Sequence, residues 1–387
     1  MQIFLRFLRF GCLAWGGPVA QIAMIKKELV EEENWISKEQ FNRALAVYQM
    51  LPGPEAHELC VYFGMKAAGR WGGFLAGLGF MLPGFLLMLL LTWFYVNYGI
   101  QSPLIQMIFT GIQAAVVSLI FFAVYRIGKH SIVNYKLLVI AIAGSLAFFL
   151  GVNFLIILLL AGAAYFFWSK RNLMVIAVAI LHAGFCIFTV LWHGFPVKPG
   201  QSEQQASVGL KGGSAGQVLV TGLKGGLLSF GGAYTAIPVI QEDAVIKQRW
   251  MTEDQFLDGI ALSGILPAPL IIFSTFVGYF GGGWWGAILI TIGVFLPAFS
   301  FTLMGHSLLE KVIANKGLHS FLDGVTASVI GLIAITAIRL LLTNITSLQA
   351  IIVFSIALLL LIKFRSKYTV IFIIPGAGLF NLIWHYV

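Results

Sequence analysis

Long apolar stretches recur along the whole 387-residue chain, and they constrain its fold more than any other feature. Many run for ~17–25 residues, which is enough helix to cross ~30 Å of hydrocarbon. Hydrophobic residues make up 59% of the sequence and charged residues only 10%, too few for the surface of a water-soluble domain. Lipid offers the backbone no hydrogen-bond partners, so spanning segments are helices or closed barrels. The runs 85–94 and 351–362 lack the alternation of a barrel strand, which indicates helices.

This pattern predicts an all-α polytopic membrane protein with about thirteen hydrophobic segments. They fall at 3–24, 44–66, 73–98, 103–127, 136–151, 153–168, 173–192, 216–240, 256–280, 285–309, 319–343, 347–363 and 368–386. The polar stretch 193–216 is typical of a flexible connector. It separates a first repeat with one extra helix, residues 1–192, from a second repeat, residues 217–387.

The two halves carry the same motifs at a nearly constant separation. Trp35 precedes Trp250 by 215 residues, and the LPGP motif at 51–54 precedes LPAP at 266–269 by the same interval. After a one-residue gap, LPGF at 82–85 matches LPAF at 296–299. Chance matches of leucine and glycine are common in apolar sequence, but paired tryptophan and proline motifs at one spacing are not. The sequence therefore predicts an internal duplication.

Basic residues in short loops predict the orientation of the repeats. Lysine or arginine occurs near 126–136, 169–172, 311–316 and 363–367, and neither occurs near 99–102 or 281–284. If the basic loops are cytoplasmic, segment 73–98 runs outward and its partner 285–309 runs inward, so the repeats are inverted. Four basic residues do not fit a strict alternation of cytoplasmic and external loops, because they would lie outside: Lys26, Lys27, Lys38 and Arg43. The misfit disappears if the first two segments of each repeat are re-entrant.

Glycine and proline interrupt those first two segments in both repeats. Proline stops a helix, which can restart with proline in its first turn. Matched breaks at membrane depth are typical of a transporter's substrate site, and free N-terminal amides of half-helices favour an anion. Packing kinks are the alternative explanation. The predicted substrate-binding residues are Gly16, Gly17, Pro18, Pro52, Gly53, Pro54, Gly231, Gly232, Pro267 and Pro269.

Ionisable residues beside the breaks are candidates for coupling or gating. The candidates are Arg43, Glu55, His57, Glu58, Glu28 and Asp243. The cluster at 55–58 has only apolar counterparts in the second repeat, whereas Glu28 and Asp243 occupy equivalent positions in the two repeats. The alternative roles are a helix-terminus carboxylate for Glu55, a packing side chain for His57 and an interfacial arginine for Arg43. Lys224 is interpreted as a boundary charge.

Several of these motifs together resemble the chromate ion transporter family. FGCLAWGGP, WISKEQFNRALAVYQMLPGPEA and GRWGGFLAG resemble its first half, and LLSFGGAYTAIPVI, RWMTEDQFLDGIAL and ILPAP its second. The chain departs from the family pattern at Ala233 and Ala268, where proline and glycine are usual. The resemblance implies a two-domain secondary transporter that exports chromate, with sulfate as an alternative oxyanion, across the cytoplasmic membrane.

Other functions remain as alternatives. They are an anion channel, a transporter of another small ion or metabolite, and a membrane-embedded enzyme that uses the cluster at 55–58. The sequence has no nucleotide-binding motif and no metal-ligand spacing, so we expect a non-enzyme without metal or cofactor. The basic residues are scattered between apolar segments, which does not favour a nucleic-acid partner. Uniport, proton symport, proton antiport and assembly as a homo-oligomer stay open.

Overall fold

The structure is a computed structural model that describes residues 1–49, 51–99, 102–168, 172–193, 212–230, 232–304, 316–364 and 368–386. The helices of the first half are α1 (Gln2–Cys12), α2 (Gly17–Ile25), α3 (Lys38–Tyr48), α4 (Glu55–Phe94), α5 (Pro103–Ser131), α6 (Tyr135–Phe149), α7 (Phe154–Trp168) and α8 (Asn172–His193). Those of the second half are α9 (Ala215–Leu227), α10 (Ile237–Gln241), α11 (Glu253–Gly264), α12 (Phe273–Met304), α13 (Lys316–Asn344), α14 (Leu348–Lys363) and α15 (Thr369–Tyr386).

Short irregular helices extend several of these elements. π-helical turns follow α2, α4 and α10, at Lys26–Glu32, Tyr95–Gly99 and Glu242–Lys247. 3₁₀ turns precede α10 and α12, at Ala233–Ala236 and Leu270–Ile272. No β-strand forms in the described ranges, which is the all-α architecture that the apolar pattern predicts.

The chain divides into two compact units that differ from the two sequence halves. The first comprises Met1–Leu119, Ala206–Leu309 and Asn344–Val387, and the second comprises Ile120–Gln205 and Glu310–Thr343. Each unit therefore takes residues from both 1–192 and 217–387. The division at the connector 193–216, most of which lies outside the described residues, stays a prediction about the repeats.

In the second unit, α13 packs closely on α6 and α7. A Cβ on Gly331 would lie 2.1 Å from the Ala141 carbonyl oxygen, and one on Gly324 would lie 2.5 Å from that of Ala161. Small residues let helix backbones approach in this way when no hydrophobic effect drives them together.

The first unit contains the same succession of elements twice. Ser37 and Gln40 form a capping box at the start of α3, and Thr252 and Gln255 form the matching box at the start of α11. Each box satisfies backbone amides that a helix start leaves free. The duplication therefore extends from sequence motifs to the local structure of each repeat.

The long helices α4 and α12 each fold back on themselves. Thr275 and Thr291 lie 16 residues apart, ~24 Å along a straight helix, yet their hydroxyl oxygens are 2.8 Å apart. The reversals fall at Ala68–Gly69 and Gly282–Gly283, where Gly69 has φ +63° and Gly283 has φ +60°. Glycine adopts this left-handed conformation without a Cβ clash. Each helix is thus two antiparallel arms, a first arm (55–67 or 273–281) and a second arm (70–94 or 284–304).

Four helical stretches among the described residues are long and apolar enough to cross a membrane, with α4 and α12 counted across their reversals: Glu55–Gly99, Pro103–Ser131, Leu270–Met304 and Gly317–Asn344. In contrast, α1 and α3 have 11 residues each, or ~16 Å of helix, which is about half of a bilayer core. The predicted segment 3–24 is two short helices separated by a break, so the thirteen segments do not correspond one to one with the helices. The protein is nevertheless an all-helical integral membrane protein.

Candidate functional site

Two helical hairpins open each repeat. In the first repeat, Arg6 on α1 contacts Glu28 just beyond α2, and Phe41 on α3 packs on Phe63 of the α4 first arm with ring centroids 6.4 Å apart. In the second repeat, α9 pairs with the turn after α10, and Phe256 of α11 packs on Phe273 at 5.6 Å. The connections inside these hairpins carry the glycine and proline breaks. We call them the first tip (13–17), second tip (51–54), third tip (228–230 and 232) and fourth tip (265–269).

The tips of one repeat contact the tips of the other. The Gly53 amide of the second tip donates to the Ser229 carbonyl of the third tip at 3.4 Å, beside an isolated β-bridge from Pro52 to Phe230. The Gln21 side chain donates from Nε2 to the carbonyls of Ala14 at 2.8 Å, in the first tip, and of Ala268 at 3.0 Å, in the fourth. The second tip therefore meets the third and the first meets the fourth, and all four lie in the first unit.

Each proline-containing tip also packs on the second arm of the opposite repeat. A Cβ on Gly53 would lie 3.2 Å from Ala298 Cβ, and a Cβ on Gly84 would lie 2.3 Å from Ala268 Cβ. Gly53 matches Ala268 in the repeat, and Gly84 matches Ala298. Such an exchange of contacts between related residues is what a two-fold relationship produces. It also gives the paired LPGF and LPAF motifs a common structural position.

The predicted binding residues occupy these tips. In the first repeat, Gly16 and Gly17 have φ of +89° and +78° and precede Pro18 in the first turn of α2, and Pro52, Gly53 (φ +154°) and Pro54 precede α4. In the second repeat, Gly232 (φ +116°) precedes the 3₁₀ turn before α10, and Pro267 and Pro269 flank Ala268. Gly231 lies outside the described residues. The structure brings the described members of the set together, and anion binding by them stays a prediction.

The Glu58 carboxyl lies beside the second tip. It is fully buried, and its Oε1 lies 2.8 Å from the position of a Cβ on Gly53. Neither carboxyl oxygen has a hydrogen-bond partner among the described residues. Glu55, in the first turn of the same arm, is only half-buried. A buried carboxylate without a partner is costly, and the predicted coupling or gating role of Glu58 stays a prediction.

His57 faces the other repeat through aromatic contacts. Its ring centroid lies 4.9 Å from that of Phe295 and 4.7 Å from that of Phe299, and the side chain is fully buried. Neither ring nitrogen makes a well-formed hydrogen bond within the described part of the chain, and the Gly77 backbone lies beside the ring. These contacts favour a packing role.

Arg43 is exposed on α3, where it acts electrostatically on Glu39, one helical turn earlier. Its exposed position does not test the prediction that Arg43 contacts the anion or pairs with the carboxylates of Glu55 and Glu58. Its register equivalent in the second repeat is Asp258.

Glu28 and Asp243 form matching ion pairs in the two repeats. Arg9 Nη1 lies 3.2 Å from Glu28 Oε1, and Lys224 Nζ lies 2.6 Å from Asp243 Oδ2 at the same register. Each pair ties the first helix of a repeat to the π-helical turn that ends its first hairpin. Lys224, interpreted from sequence as a boundary charge, is therefore also an ion-pair partner.

The ion pairs of the first repeat extend into a surface cleft of about 390 Å³. Arg6 pairs there with Glu33 as well as with Glu28 at 3.1 Å, and Trp35 donates to Glu33 at 2.8 Å. The hydrogen bond from Arg6 lowers the pKa of the Glu33 carboxyl below its ordinary value. No group of three or more histidine, cysteine or acidic side chains that could hold a metal is found within the described ranges.

Paired hairpins whose broken tips meet between two repeats define the class of this molecule as a polytopic membrane transporter. The chain belongs to the chromate transporter family, whose model matches residues 1–193 and 216–382. It is 49% identical to a chromate transport protein of Pseudomonas aeruginosa, over 98% of this chain and 91% of that protein. It is 30% identical to a chromate transport protein of Cupriavidus metallidurans, over 99% of this chain and 92% of that protein. No solved structure matches the chain.

Proposed function

We propose that the protein is a secondary transporter that exports chromate, with sulfate as a second oxyanion, across the cytoplasmic membrane by alternating access. The observation that carries the proposal is that the broken tips meet in two pairs between the repeats, with each proline-containing tip lying on the second arm of the opposite repeat. The relatives named as chromate transport proteins support the choice of substrate.

The distribution of basic residues supports inverted repeats. Residues 1–72 contain eight lysines and arginines: Arg6, Arg9, Lys26, Lys27, Lys38, Arg43, Lys66 and Arg70. The matched stretch 216–286 contains three: Lys224, Lys247 and Arg249. The reversals of α4 and α12 are each followed by an exposed tryptophan, Trp71 and Trp285, a residue type that favours membrane interfaces. The reversal of α4 carries positive charge, which would place it on the cytoplasmic side. The reversal of α12 carries none, which would place it outside.

The tips have the chemistry to hold an oxyanion. α2 and the first arm of α4 both begin at a tip, so their first amides have no intrahelical acceptor and favour negative charge. An ionised Glu58 beside Gly53 would repel a dianion, whereas a protonated Glu58 could donate a hydrogen bond to it. The anion would then bind to the form of the protein in which Glu58 is neutral.

Reciprocal docking provides two separable contacts for alternating access. The second tip lies on Ala298 and the fourth tip on Gly84. In the proposed cycle, one of these contacts would open while the other is kept. In inverted repeats these openings would lead to opposite sides of the membrane.

The membrane potential alone can drive export of a dianion. One charge that crosses 100 mV gains roughly 2.3 kcal/mol, so a dianion leaving an inside-negative cell gains about 5 kcal/mol. ATP hydrolysis is therefore unnecessary.

Uptake of labelled chromate and sulfate into inverted vesicles tests this function. We expect saturable uptake that unlabelled anion on the opposite side accelerates, because a carrier exchanges its substrate. Gly53→Ala should abolish uptake, since the new Cβ would lie 2.8 Å from the Glu58 carboxyl at a residue with φ +154°. Gly376→Ala is the matched control, because open space surrounds that glycine. Absence of uptake of both anions would overturn the proposal, and non-saturable flux without exchange would favour a channel.

A further inference from the structure

A buried carboxyl group on α11 is held by side chains from two other helical elements. The Tyr95 hydroxyl donates to Asp258 Oδ2 at 2.5 Å, and Gln113 Nε2 donates to Asp258 Oδ1 at 2.9 Å. Only 3% of Asp258 is exposed. Tyr95 lies in the π-helical turn that ends α4, and Gln113 lies on α5, so the carboxyl joins three elements of the first unit.

Aromatic side chains shield this group from water. The Tyr95 ring packs on Phe109 and Phe276, both with ring centroids 5.2 Å away, and on Phe280 at 6.4 Å. No lysine, arginine or histidine forms an ion pair with Asp258 within the described ranges. The titratable groups that act on it are Tyr95 and Asp254, an exposed acid one turn earlier on α11.

This environment is suited to the gain and loss of a proton. Burial without a countercharge favours the protonated carboxyl, and two hydrogen-bond donors favour the carboxylate. The opposing effects leave both forms accessible. By contrast, the register equivalent in the first repeat is the exposed Arg43, so the carboxyl is a feature of one repeat alone.

We propose that Asp258 binds the proton that couples transport to the proton gradient, an inference that rests on the proposed transport function. A proton from water on one side forms an O–H bond at the carboxyl, and water on the other side accepts it later in the cycle. If the proton lies on Oδ2, that oxygen donates to the Tyr95 hydroxyl oxygen, so this hydrogen bond reverses its direction and the Tyr95 hydroxyl hydrogen has to turn to another acceptor. Proton binding thereby changes the link between the end of α4 and the hairpin that leads to the fourth tip.

Flux measurements on the full-length protein in proteoliposomes test the proposal. Two fluxes of labelled chromate are compared: net flux driven by a pH gradient, and exchange without any gradient. Asp258→Asn keeps the shape of the side chain but cannot take up a proton, so we expect it to lose gradient-driven flux and keep exchange. Asp254→Asn should keep both fluxes and shift only their pH dependence, because Asp254 acts on Asp258 electrostatically and is itself exposed. Tyr95→Phe should shift the pH at which gradient-driven flux is half-maximal.

Gradient-driven flux that persists in Asp258→Asn would overturn the proposal. If that variant also loses exchange, infrared titration of the purified protein decides: a carboxyl band that titrates in wild type and is absent from the variant supports the proposal, and an unchanged band overturns it. The infrared titration needs no substrate. If the wild-type protein transports neither chromate nor sulfate, the proposed function is refuted. The infrared carboxyl band still shows whether Asp258 binds a proton.

Discussion

Ala268 packs directly on Gly84: a methyl group on Gly84 would lie 2.3 Å from Ala268 Cβ. The repeat-related junction has the same two residue types in exchanged places, with Gly53 on the tip and Ala298 on the arm. Each junction therefore contains one glycine and one alanine, which sets how closely a tip approaches the opposite arm.

Gly84→Ala should destabilise the protein by about 1–3 kcal/mol, because the added methyl overpacks a tight contact. The double variant Gly84→Ala/Ala268→Gly should recover most of the loss, since it recreates the arrangement of the other junction. Apparent melting temperature in detergent measures both, with Gly376→Ala as the control for an added methyl in open space. A double variant no more stable than the single one would show that the methyl–methyl contact is not the cause.

Lys224→Met should cost about 1–3 kcal/mol, because it leaves the buried Asp243 carboxylate without its close charged donor. Thr221 at 3.3 Å and Lys247 at 3.7 Å would remain as weaker partners. The same melting assay checks this, and Lys247→Met is the control because its ammonium group is further from Asp243 and 42% exposed. Equal effects of the two substitutions would contradict a special role for the 2.6 Å pair.

Glu58→Gln should weaken the pH dependence of chromate binding, because glutamine stays neutral and can still donate a hydrogen bond at the second tip. Wild-type binding should weaken as the solution becomes alkaline. Binding to purified protein across a pH series measures the difference. Glu55→Gln, on the same arm but half-buried, should keep the pH dependence, and the reverse result would assign the proton to Glu55 instead.

His57→Phe should fold and retain most of the transport rate, because a phenyl ring fits the aromatic contacts to Phe295 and Phe299. His57→Ala should lower the melting temperature, because it leaves a cavity between those rings. A phenylalanine variant that folds normally but does not transport would show that a ring nitrogen of His57 takes part in the mechanism.

Acidification should loosen the ion-pair cluster around Glu33. The pKa of Glu33 is lowered by the Arg6 hydrogen bond, so its stabilisation is present above the ordinary pKa of a glutamate and is lost as pH falls through the lowered value. The wild-type melting temperature should therefore fall more steeply than that of Glu33→Gln from about pH 5 downwards. Glu32→Gln controls for the removal of one surface charge; parallel curves for wild type and Glu33→Gln would refute the prediction.

The sequence predicted the class of the fold because lipid leaves few ways to satisfy a backbone. It also located the breaks, since proline and glycine act locally, and the paired capping residues at Ser37 and Thr252 occur where the duplication places them. The reversal at Ala68–Gly69 falls between the predicted segments 44–66 and 73–98. The pairing of each tip with the opposite repeat was not predicted, because contacts between distant glycines and alanines leave no periodic pattern.

The sequence identified part of the candidate site. Glu58 was found because it follows a break, but Gln21, which links the first and fourth tips, is an ordinary amide in an apolar stretch. Asp258 had a usable signal: it is a lone acid in the run FLDGIALS, and its register partner is Arg43. Its partners Tyr95 and Gln113 lie more than a hundred residues earlier in the chain, so the sequence did not indicate how the carboxyl is held.

The exchanged glycine and alanine at the two junctions have a consequence for the empty carrier. Two identical gates would close equally well, and the carrier would then divide its time evenly between the two sides of the membrane. Here the tip of one junction bears the methyl group that the arm bears in the other, so the two junctions are not identical. If each gate closes in turn, the chain itself gives the unloaded protein a preferred resting orientation, before any gradient acts on it.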